Sequence, residues 1–396
     1  MPPGNRSSGG NRTTGGEMRH SSKAVAIALM LGMLAISGCS SSGSGSSSSN
    51  TVNVGVIVSL SGKSAPYGQS QKNGLTLAKD DINKANTIPG KKISLKFVDD
   101  QSDVHQSVSL IDQLINSDKV STVIGPTSST SDQTTGPIAQ STKVPVLYVS
   151  SSSTKGITSV GNYIWRCSLN DDQLVPQEVS AAQRKLGIRS AVLIYASDDA
   201  STTSAANAMK TAMASAGIHV LKTLTFASSD KDFSGQLTVA KGLHPDALFV
   251  SAVPEGGTGL LTQARSLGLS QPVIAGNGFN SPLIISGAGP AADGVFVGAA
   301  WSDQSSLPAS TAFVQEYKAR YGSKPDQFAA QAYAGAYIIA NAAKIGGNSR
   351  SGILKGFKNT KDLPTVLGNF NFTQTRDADY SAVLLEVKGG SFTLAG

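Results

Sequence analysis

Short apolar runs that end in polar loops recur along this chain, and each is followed by a stretch with helical spacing. Residues 52–58 form the first run, and after a loop rich in Ser and Gly the residues Leu75, Ala78 and Ile82 fall on one face of a predicted helix. Similar strand-like runs follow at residues 93–98, 120–124 and 144–149. Strands that alternate with helices predict a parallel sheet flanked by helices.

The same alternation starts again beyond Arg166. Strand-like runs stand at residues 191–195, 247–250 and 273–275, separated by helix-like stretches near residues 205–216 and 260–267. A helical pair at residues 309–321 and 327–343 and a final strand-like run at residues 380–387 complete the chain. Two successive sets of strand–helix units predict an α/β protein with two similarly built lobes.

The N-terminal segment has the order of a signal peptide. Arg19 and Lys23 precede residues 24–36, a run without charge that is too short for the roughly 20 apolar residues of a membrane-spanning helix. We therefore predict a signal peptide over residues 1–38, with residues 1–17 as a possible N-terminal extension. Met1 and Met18 both remain candidates for the start of translation.

Small residues and a cysteine follow the apolar run. Ile36-Ser37-Gly38-Cys39 resembles the lipobox of bacterial lipoproteins, in which the cysteine becomes the first mature residue and carries the lipid. Residues 39–50 continue as a Ser/Gly tract that cannot bury apolar surface and is typical of a flexible tether. The order predicts an extracytoplasmic protein anchored to the outer face of the cell membrane through lipid on Cys39.

Composition argues against several classes of function. The formal net charge is +7, but Lys and Arg are scattered, which gives no case for nucleic-acid binding. With Cys39 lipidated, Cys167 is the one remaining thiol and cannot form an internal disulfide. The histidines lack metal-ligand spacing, and no nucleophile elbow, phosphate-binding loop or zinc-protease motif occurs. We therefore expect neither an enzyme nor a bound metal or cofactor.

An ordered set of short motifs resembles the type I periplasmic binding proteins, and within them the leucine/isoleucine/valine-binding family. The resemblance covers essentially the whole chain from Val52 onward, and it depends on the order of the motifs, because no single motif is very specific. The motifs are Val54-Gly55-Val56, Leu60-Ser61-Gly62, Tyr67-Gly68, Leu77-Ala78-Lys79-Asp80-Asp81-Ile82-Asn83, Val98-Asp99-Asp100, Val123-Ile124-Gly125-Pro126, Asp230-Lys231-Asp232-Phe233-Ser234, Pro245-Asp246-Ala247 and Gln263-Ala264-Arg265-Ser266-Leu267-Gly268.

The resemblance implies two doubly wound parallel-sheet lobes joined by three hinge crossovers. We place the crossovers near Leu169, Ala300 and Phe370. Lobe one is then residues 51–168 plus 301–369, and lobe two is residues 169–300 plus 370–396. The ligand is expected in the cleft between the lobes, at the carboxyl ends of the strands, where open α/β sheets bind ligands in general.

In lobe one, the resemblance implies that serines bind the carboxylate of the ligand. The implied residues are Ser129, Ser150 and Ser152, with Ser128 beside them and Tyr67 as a wall of the pocket. The start of a helix near Ser131 favours an anion at the same place. Helix capping is the alternative role for Ser128 and Ser129, and plain packing is the alternative for Tyr67.

In lobe two, the chain departs from the pattern of amino-acid binders. Two tyrosines of the family fall on Ala200 and near Val253, and the glutamate that pairs with an α-ammonium falls on Asn277. Asp198 or Glu255 could supply the missing charge. Since a buried ammonium without a carboxylate is costly, we expect a small carboxylate or amide-like solute, with an amino acid as the second choice.

The implied partner is the permease of an ABC transporter, which receives the solute when the cleft closes. A ligand-sensing domain of the same fold that serves a signalling partner is the alternative, since it would differ in partner and not in binding chemistry. No oligomeric contact is implied, so a monomer is expected.

Overall fold

The computed structural model describes residues 50–395. Both Cys39 and the signal segment lie outside this range. The strands, in chain order, are β1 (Thr51–Val58), β2 (Lys92–Asp99), β3 (Thr122–Ile124), β4 (Val146–Tyr148), β5 (Ile164–Arg166), β6 (Ser190–Ala196), β7 (His219–Phe226), β8 (Ala247–Ser251), β9 (Val273–Ala275), β10 (Val295–Ala299), β11 (Leu363–Thr365), β12 (Gly368–Phe372), β13 (Ala378–Asp379), β14 (Val383–Lys388) and β15 (Ser391–Leu394).

Helices occupy most of the connections between the strands. They are α1 (Ala65–Lys84), α2 (Val104–Asp112), α3 (Ser129–Ser141), α4 (Asp171–Leu186), α5 (Ala200–Ser215), α6 (Ser234–Gly242), α7 (Pro254–Ser266), α8 (Pro282–Ala288), α9 (Pro308–Tyr321), α10 (Gln327–Gly346) and α11 (Arg350–Lys358). Short 3₁₀ turns include Asn277–Phe279, directly after β9. None of the helices between residues 50 and 395 has the length and hydropathy that crossing a membrane requires.

Two sheets form the centres of the two lobes. The first has the strand order β2-β1-β3-β4-β5, and all of its pairings are parallel. The second has the order β15-β14-β10-β9-β8-β6-β7, in which β14 and β15 pair antiparallel and the other five strands parallel. The expected α/β fold with two doubly wound parallel-sheet lobes is confirmed.

The apolar runs face both sides of the first sheet because strand side chains alternate. Val54 and Val56 pack into the core under α1 and α10, whereas Ile57 packs on the opposite side with α2. Gly55 faces the same side, and a Cβ there would lie 2.8 Å from Cδ1 of Leu114, which follows α2. A larger residue at position 55 would therefore require the Leu114 side chain to shift.

Helices α1 and α10 pack closely against each other in lobe one. A Cβ on Gly74 of α1 would lie 2.1 Å from the carbonyl oxygen of Ala329 in α10, so a glycine permits the approach. Helix α10 starts at Gln327, immediately after its N-cap Asp326, whose carboxylate accepts a hydrogen bond from the N–H of Ala329. This packing places the start of α10 beside the cleft.

The expected position of the third crossover, near Phe370, lies outside both large sheets. Phe370 lies in β12, within a small antiparallel sheet of β11, β12 and β13, and its ring centroid is 4.8 Å from that of Phe372. Further on, Asp377 forms an ion pair with Arg166 of β5 in lobe one. The chain joins the second sheet only at β14. We therefore propose the third crossover at residues 380–382.

Candidate functional site

A cavity lies between the two sheets, at the carboxyl ends of their parallel strands. Its volume is about 50 Å³, room for only a few water molecules at roughly 10–15 Å³ each. Most lining residues follow β1, β3 and β4 in lobe one or β6, β8 and β9 in lobe two, whereas Asp171 starts α4 and Phe328 lies in α10. The lining residues are Ser64, Tyr67, Thr127, Ser128, Ser129, Ser150, Ser152, Asp171, Asp199, Ser201, Thr202, Ala205, Ser251, Ala252, Val253, Asn277, Gly278 and Phe328.

The position of the cavity follows from the strand order of the two sheets. In the first sheet, the connection from β1 goes to one side and that from β3 to the other, and in the second sheet β6 and β8 stand in the same relation. Loops at such a switch point diverge and leave a crevice, where open α/β sheets bind ligands. The two crevices face each other here, and together they form the cavity.

In lobe one, a group of serines surrounds the start of α3. Ser128 is the N-cap of this helix, and its hydroxyl accepts a hydrogen bond from the N–H of Ser131 at 3.3 Å. The hydroxyl of Ser129 accepts hydrogen bonds from the N–H groups of Ser152 and Ser153, at 3.2 and 3.3 Å. Ser150 donates its hydroxyl to the carbonyl oxygen of Thr127 at 2.7 Å. These contacts fix the loop after β4 against the first turn of α3.

The same arrangement makes lobe one suitable for an anion. The N–H groups in the first turn of a helix lack helical partners, and the helix dipole adds a partial positive charge there. Ser129 and Ser152 bring buried hydroxyl groups to this point. The combination of helix N–H groups and hydroxyls can bind a carboxylate without a cationic side chain.

A buried acid at the start of α4 faces the cavity from the other side of the hinge. Asp171 is 1% exposed, and neither carboxylate oxygen accepts a hydrogen bond of normal geometry from residues 50–395. Burial raises the pKa of Asp171 to about 7, although the hydroxyls of Ser204 and Ser152 and the charge of Arg166 favour its ionised form. An unpaired buried carboxylate is costly, so Asp171 is ready to accept a cationic or donor group.

A second acid, Asp199, lines the cavity but is already paired. It is the N-cap of α5, and one oxygen accepts hydrogen bonds from the N–H groups of Ser201 and Thr202. The other oxygen accepts a hydrogen bond from the hydroxyl of Thr130 in lobe one at 3.2 Å. Asp199 therefore caps a helix and connects the two lobes, and it has less capacity left for a ligand than Asp171.

The aromatic wall consists of Tyr67 and Phe328, whose ring centroids are 4.3 Å apart. Burial, followed by the negative charges of Asp199 and Asp326, raises the pKa of Tyr67 well above its ordinary value. The hydroxyl therefore keeps its proton, which it donates to the carbonyl oxygen of Gly278 in lobe two at 2.7 Å. Tyr67 thus bounds the cavity and connects the lobes.

Asn277 reaches the cavity from the turn after β9, but its oxygen is already engaged. The side-chain oxygen of Asn277 accepts a hydrogen bond from Nε2 of Gln327, at the start of α10. This hydrogen bond uses one of the two lone pairs of the Asn277 oxygen. Val253, the N-cap of α7, contributes an apolar side chain nearby.

Two of the predicted residues lie away from the cavity. Asp198 is exposed, and its carboxylate accepts hydrogen bonds from the N–H and hydroxyl of Ser228 at 2.8 and 2.6 Å. These bonds outweigh its partial burial and hold the pKa of Asp198 below its usual value. Glu255 is exposed and pairs with Lys231. Neither acid supplies the charge that lobe two was expected to need.

Sequence reasoning missed Asp171, Asp199 and Phe328. Asp171 stands in the first turn of α4 beside Asp172, where acidic residues commonly favour a helix start. The available signal was its place directly after the first crossover, because a residue there must lie near both lobes.

Comparison with known proteins supports the family resemblance. The family model described as "Periplasmic binding protein" matches residues 51–391. The Leu/Ile/Val-binding protein BraC3 of Rhizobium johnstonii is 27% identical over 336 residues, which cover 82% of this chain and 88% of that protein.

Two solved structures share the fold closely. The leucine-binding protein LivK of Thermotoga maritima has a TM-score of 0.83 at 25% identity, covering 87% of this chain and 98% of LivK. LivJ of Streptococcus pneumoniae, a branched-chain amino acid transporter substrate-binding protein solved in complex with isoleucine, has a TM-score of 0.80 at 27% identity. It covers 86% of this chain and 97% of LivJ.

Proposed function

The chain belongs to the periplasmic binding protein family, a family of substrate-binding proteins rather than enzymes, and on that premise we propose that it binds a small zwitterionic amino acid and delivers it to an ABC transporter. The observation that carries this proposal is the pairing of a carboxylate-binding helix start with the unpaired buried Asp171 across one small cavity.

The carboxylate of the ligand would bind in lobe one. There the first turn of α3 provides N–H groups, and Ser129 and Ser152 provide hydroxyls, while Ser150, whose hydroxyl donates to Thr127, lines the same part of the cavity. Hydrogen bonds to an ionised acceptor are roughly twice as strong as those between neutral groups.

The ammonium of the ligand would bind to Asp171. This replaces the earlier preference for a carboxylate or amide without an ammonium, which depended on Asn277 standing where the family has a glutamate. Because the buried carboxylate of Asp171 lines the cavity and forms no ion pair within residues 50–395, an ammonium has a counter-charge even though Asn277 is neutral. A ligand with both charges satisfies both ends of the cavity.

Closure of the two lobes is the proposed mechanism of capture. In the structure the lobes are joined at the cavity by hydrogen bonds from Tyr67 to Gly278, from Thr130 to Asp199, and from the N–H of Thr154 to the hydroxyl of Ser204 at 3.0 Å. Solute would bind first to the serines of lobe one, and lobe two would then rotate about the three crossovers. A ligand drives this closure only by the difference between its affinities for the closed and open forms.

The lipid anchor belongs to the same proposal and depends on sequence alone. Lipid on Cys39 would hold the protein at the outer face of the cell membrane. The Ser/Gly tract up to residue 50 would act as a tether that lets the binding domain reach the permease. Metabolic labelling with a fatty acid, compared between the natural chain and Cys39→Ala, tests this point, because only the chain that retains Cys39 is expected to carry the label.

A matched set of three compounds tests the ligand class. L-alanine carries both charges, propionate lacks the ammonium, and ethylamine lacks the carboxylate. In thermal unfolding, a ligand at a hundred times its Kd stabilises a protein by about 2.7 kcal/mol, so we expect L-alanine to raise the Tm by several degrees and both fragments to have little effect. If propionate raised the Tm as much as L-alanine does, the ligand class would instead be a carboxylate without an ammonium. Small-angle scattering on the same samples is expected to show compaction with L-alanine only.

A further inference from the structure

The orientation of the Asn277 amide is determined by a chain of hydrogen bonds that starts at the backbone. The N–H of Ala300 donates to Oε1 of Gln327 at 2.8 Å. A backbone N–H can only donate, so the oxygen of Gln327 must face Ala300 and its NH₂ group must face Asn277. An NH₂ group can also only donate, so Asn277 must turn its own oxygen toward Gln327, as the structure has it.

The remaining NH₂ group of Asn277 is therefore turned to the cavity. Asn277 lines this cavity and is 8% exposed, and no residue within the described range 50–395 accepts a hydrogen bond from its Nδ2. The surrounding wall of lobe two is also polar, with the hydroxyls of Ser201, Thr202 and Ser251 on the cavity lining. Ser201 and Thr202 donate their hydroxyls to Asp199 and to the carbonyl oxygen of Ala196, so Asn277 is the donor on this wall that a purely aliphatic ligand would cover without pairing.

We propose, as an extension of the proposed function and resting on it, that Asn277 is a specificity-determining donor, and that the protein selects amino acids with an oxygen acceptor in a short side chain. The acceptor oxygen of the ligand receives the Nδ2 hydrogen bond. Gln327 is a positioning residue, because it does not line the cavity yet decides which end of the Asn277 amide the ligand meets.

The expected selectivity is large because a mismatch leaves a buried donor unpaired. A site built to hydrogen-bond its ligand rejects an analogue that lacks the partner more strongly than an apolar pocket rejects a changed methylene. From the usual cost of an unsatisfied buried group, we expect an aliphatic analogue of equal size to bind about ten- to a hundredfold more weakly. The small volume of the cavity, about 50 Å³, separately favours ligands with short side chains.

Three amino acids of equal size provide the probes. L-serine ends in a hydroxyl, L-2-aminobutyrate in a methyl group, and L-2,3-diaminopropionate in a side-chain amine that is predominantly protonated near neutral pH. For the natural protein, calorimetric titration is expected to give the lowest Kd for L-serine, a Kd at least tenfold higher for L-2-aminobutyrate, and the weakest binding for L-2,3-diaminopropionate. Equal Kd values for L-serine and L-2-aminobutyrate would overturn the proposal.

Gln327→Glu tests the role of Gln327 without changing the cavity wall. One glutamate oxygen can still accept from Ala300, while the other is an acceptor that Asn277 must meet with its NH₂ group. The Asn277 oxygen then faces the cavity, so L-2,3-diaminopropionate is expected to gain at least tenfold in affinity relative to L-2-aminobutyrate. If the folded variant keeps the natural order of ligands, the proposal is wrong.

Two controls separate this reorientation from other effects. The same Gln327→Glu change in an Asn277→Ala background adds the charge without an amide to turn, and persistence of the gain there would attribute it to charge and contradict the proposal. L-alanine, which has no side-chain acceptor, reports on the proposed function itself. Failure of every amino acid to bind would refute that function, whereas binding of L-alanine without a preference for L-serine would refute only the role of Asn277.

Discussion

Replacing Asp171 with Asn should change stability and ligand binding in opposite directions. In the ligand-free protein, burial raises the pKa of Asp171 from 3.8 to about 7, which corresponds to roughly 4 kcal/mol against the ionised form. Because the folded state holds the proton where the unfolded state has lost it, this group lowers the free energy of unfolding as the pH rises from about 4 to 7. Asp171→Asn removes that loss, so at pH 8 the variant should be more stable, by up to about 4 kcal/mol.

Binding should respond in the opposite way. With its pKa near 7, about a tenth of Asp171 is ionised at pH 6 and about nine tenths at pH 8. The ionised form binds the ammonium, so the Kd of the natural protein for L-alanine should fall roughly tenfold between these pH values. The variant lacks this charge, so its Kd should be at least about thirtyfold higher at pH 8 and nearly independent of pH.

Calorimetric titration with L-alanine at pH 6, 7 and 8, together with urea unfolding at the same pH values, measures both effects. Asp172→Asn is the matched control, because it removes the same charge from the next residue of α4, where the side chain is exposed and does not line the cavity. The control should leave the Kd and its pH dependence unchanged. If Asp171→Asn binds L-alanine as tightly as the natural protein, Asp171 is not the ammonium partner.

Three further predictions concern stability. Burial also raises the pKa of Glu178 well above its ordinary value, although the backbone N–H of Gly298 favours the ionised form. Glu178→Gln should therefore raise the urea midpoint more at pH 8 than at pH 5, and an equal rise at the two pH values would contradict this. Asp377→Asn leaves the buried Arg166 without its anionic partner and should cost about 3–5 kcal/mol in urea unfolding, with a loss under 1 kcal/mol counting against the pairing. Gly74→Ala places a Cβ about 2.1 Å from the oxygen of Ala329 and should lower the Tm by several degrees, whereas an unchanged Tm would show that α1 can shift freely.

The sequence predicted the parts of the fold that depend on local periodicity. Runs such as residues 52–58 and 247–250 are apolar on both faces because parallel sheets are covered on both sides, and the helix stripe of Leu75, Ala78 and Ile82 is buried as its spacing indicates. The edge strand β7 over His219–Phe226 was not predicted, because its apolar residues form neither a continuous run nor a strict alternation. The loops that line the cavity were found because they directly follow apolar strands.

Only the tertiary structure decided which polar residues meet at the cavity. Asp198 and Asp199 are neighbours in sequence, yet one faces solvent and the other the cavity, because α5 begins at Ala200 and takes Asp199 as its cap. Asp171 and the Ser128–Ser129 turn come from different lobes, and the hydrogen bond between Gln327 and Asn277 joins residues 50 positions apart. Local pattern indicates whether a segment forms a strand or a helix. It carries no information on which distant residue a side chain will face. The pairing of distant residues sets the charge of this site and the direction of its hydrogen bonds.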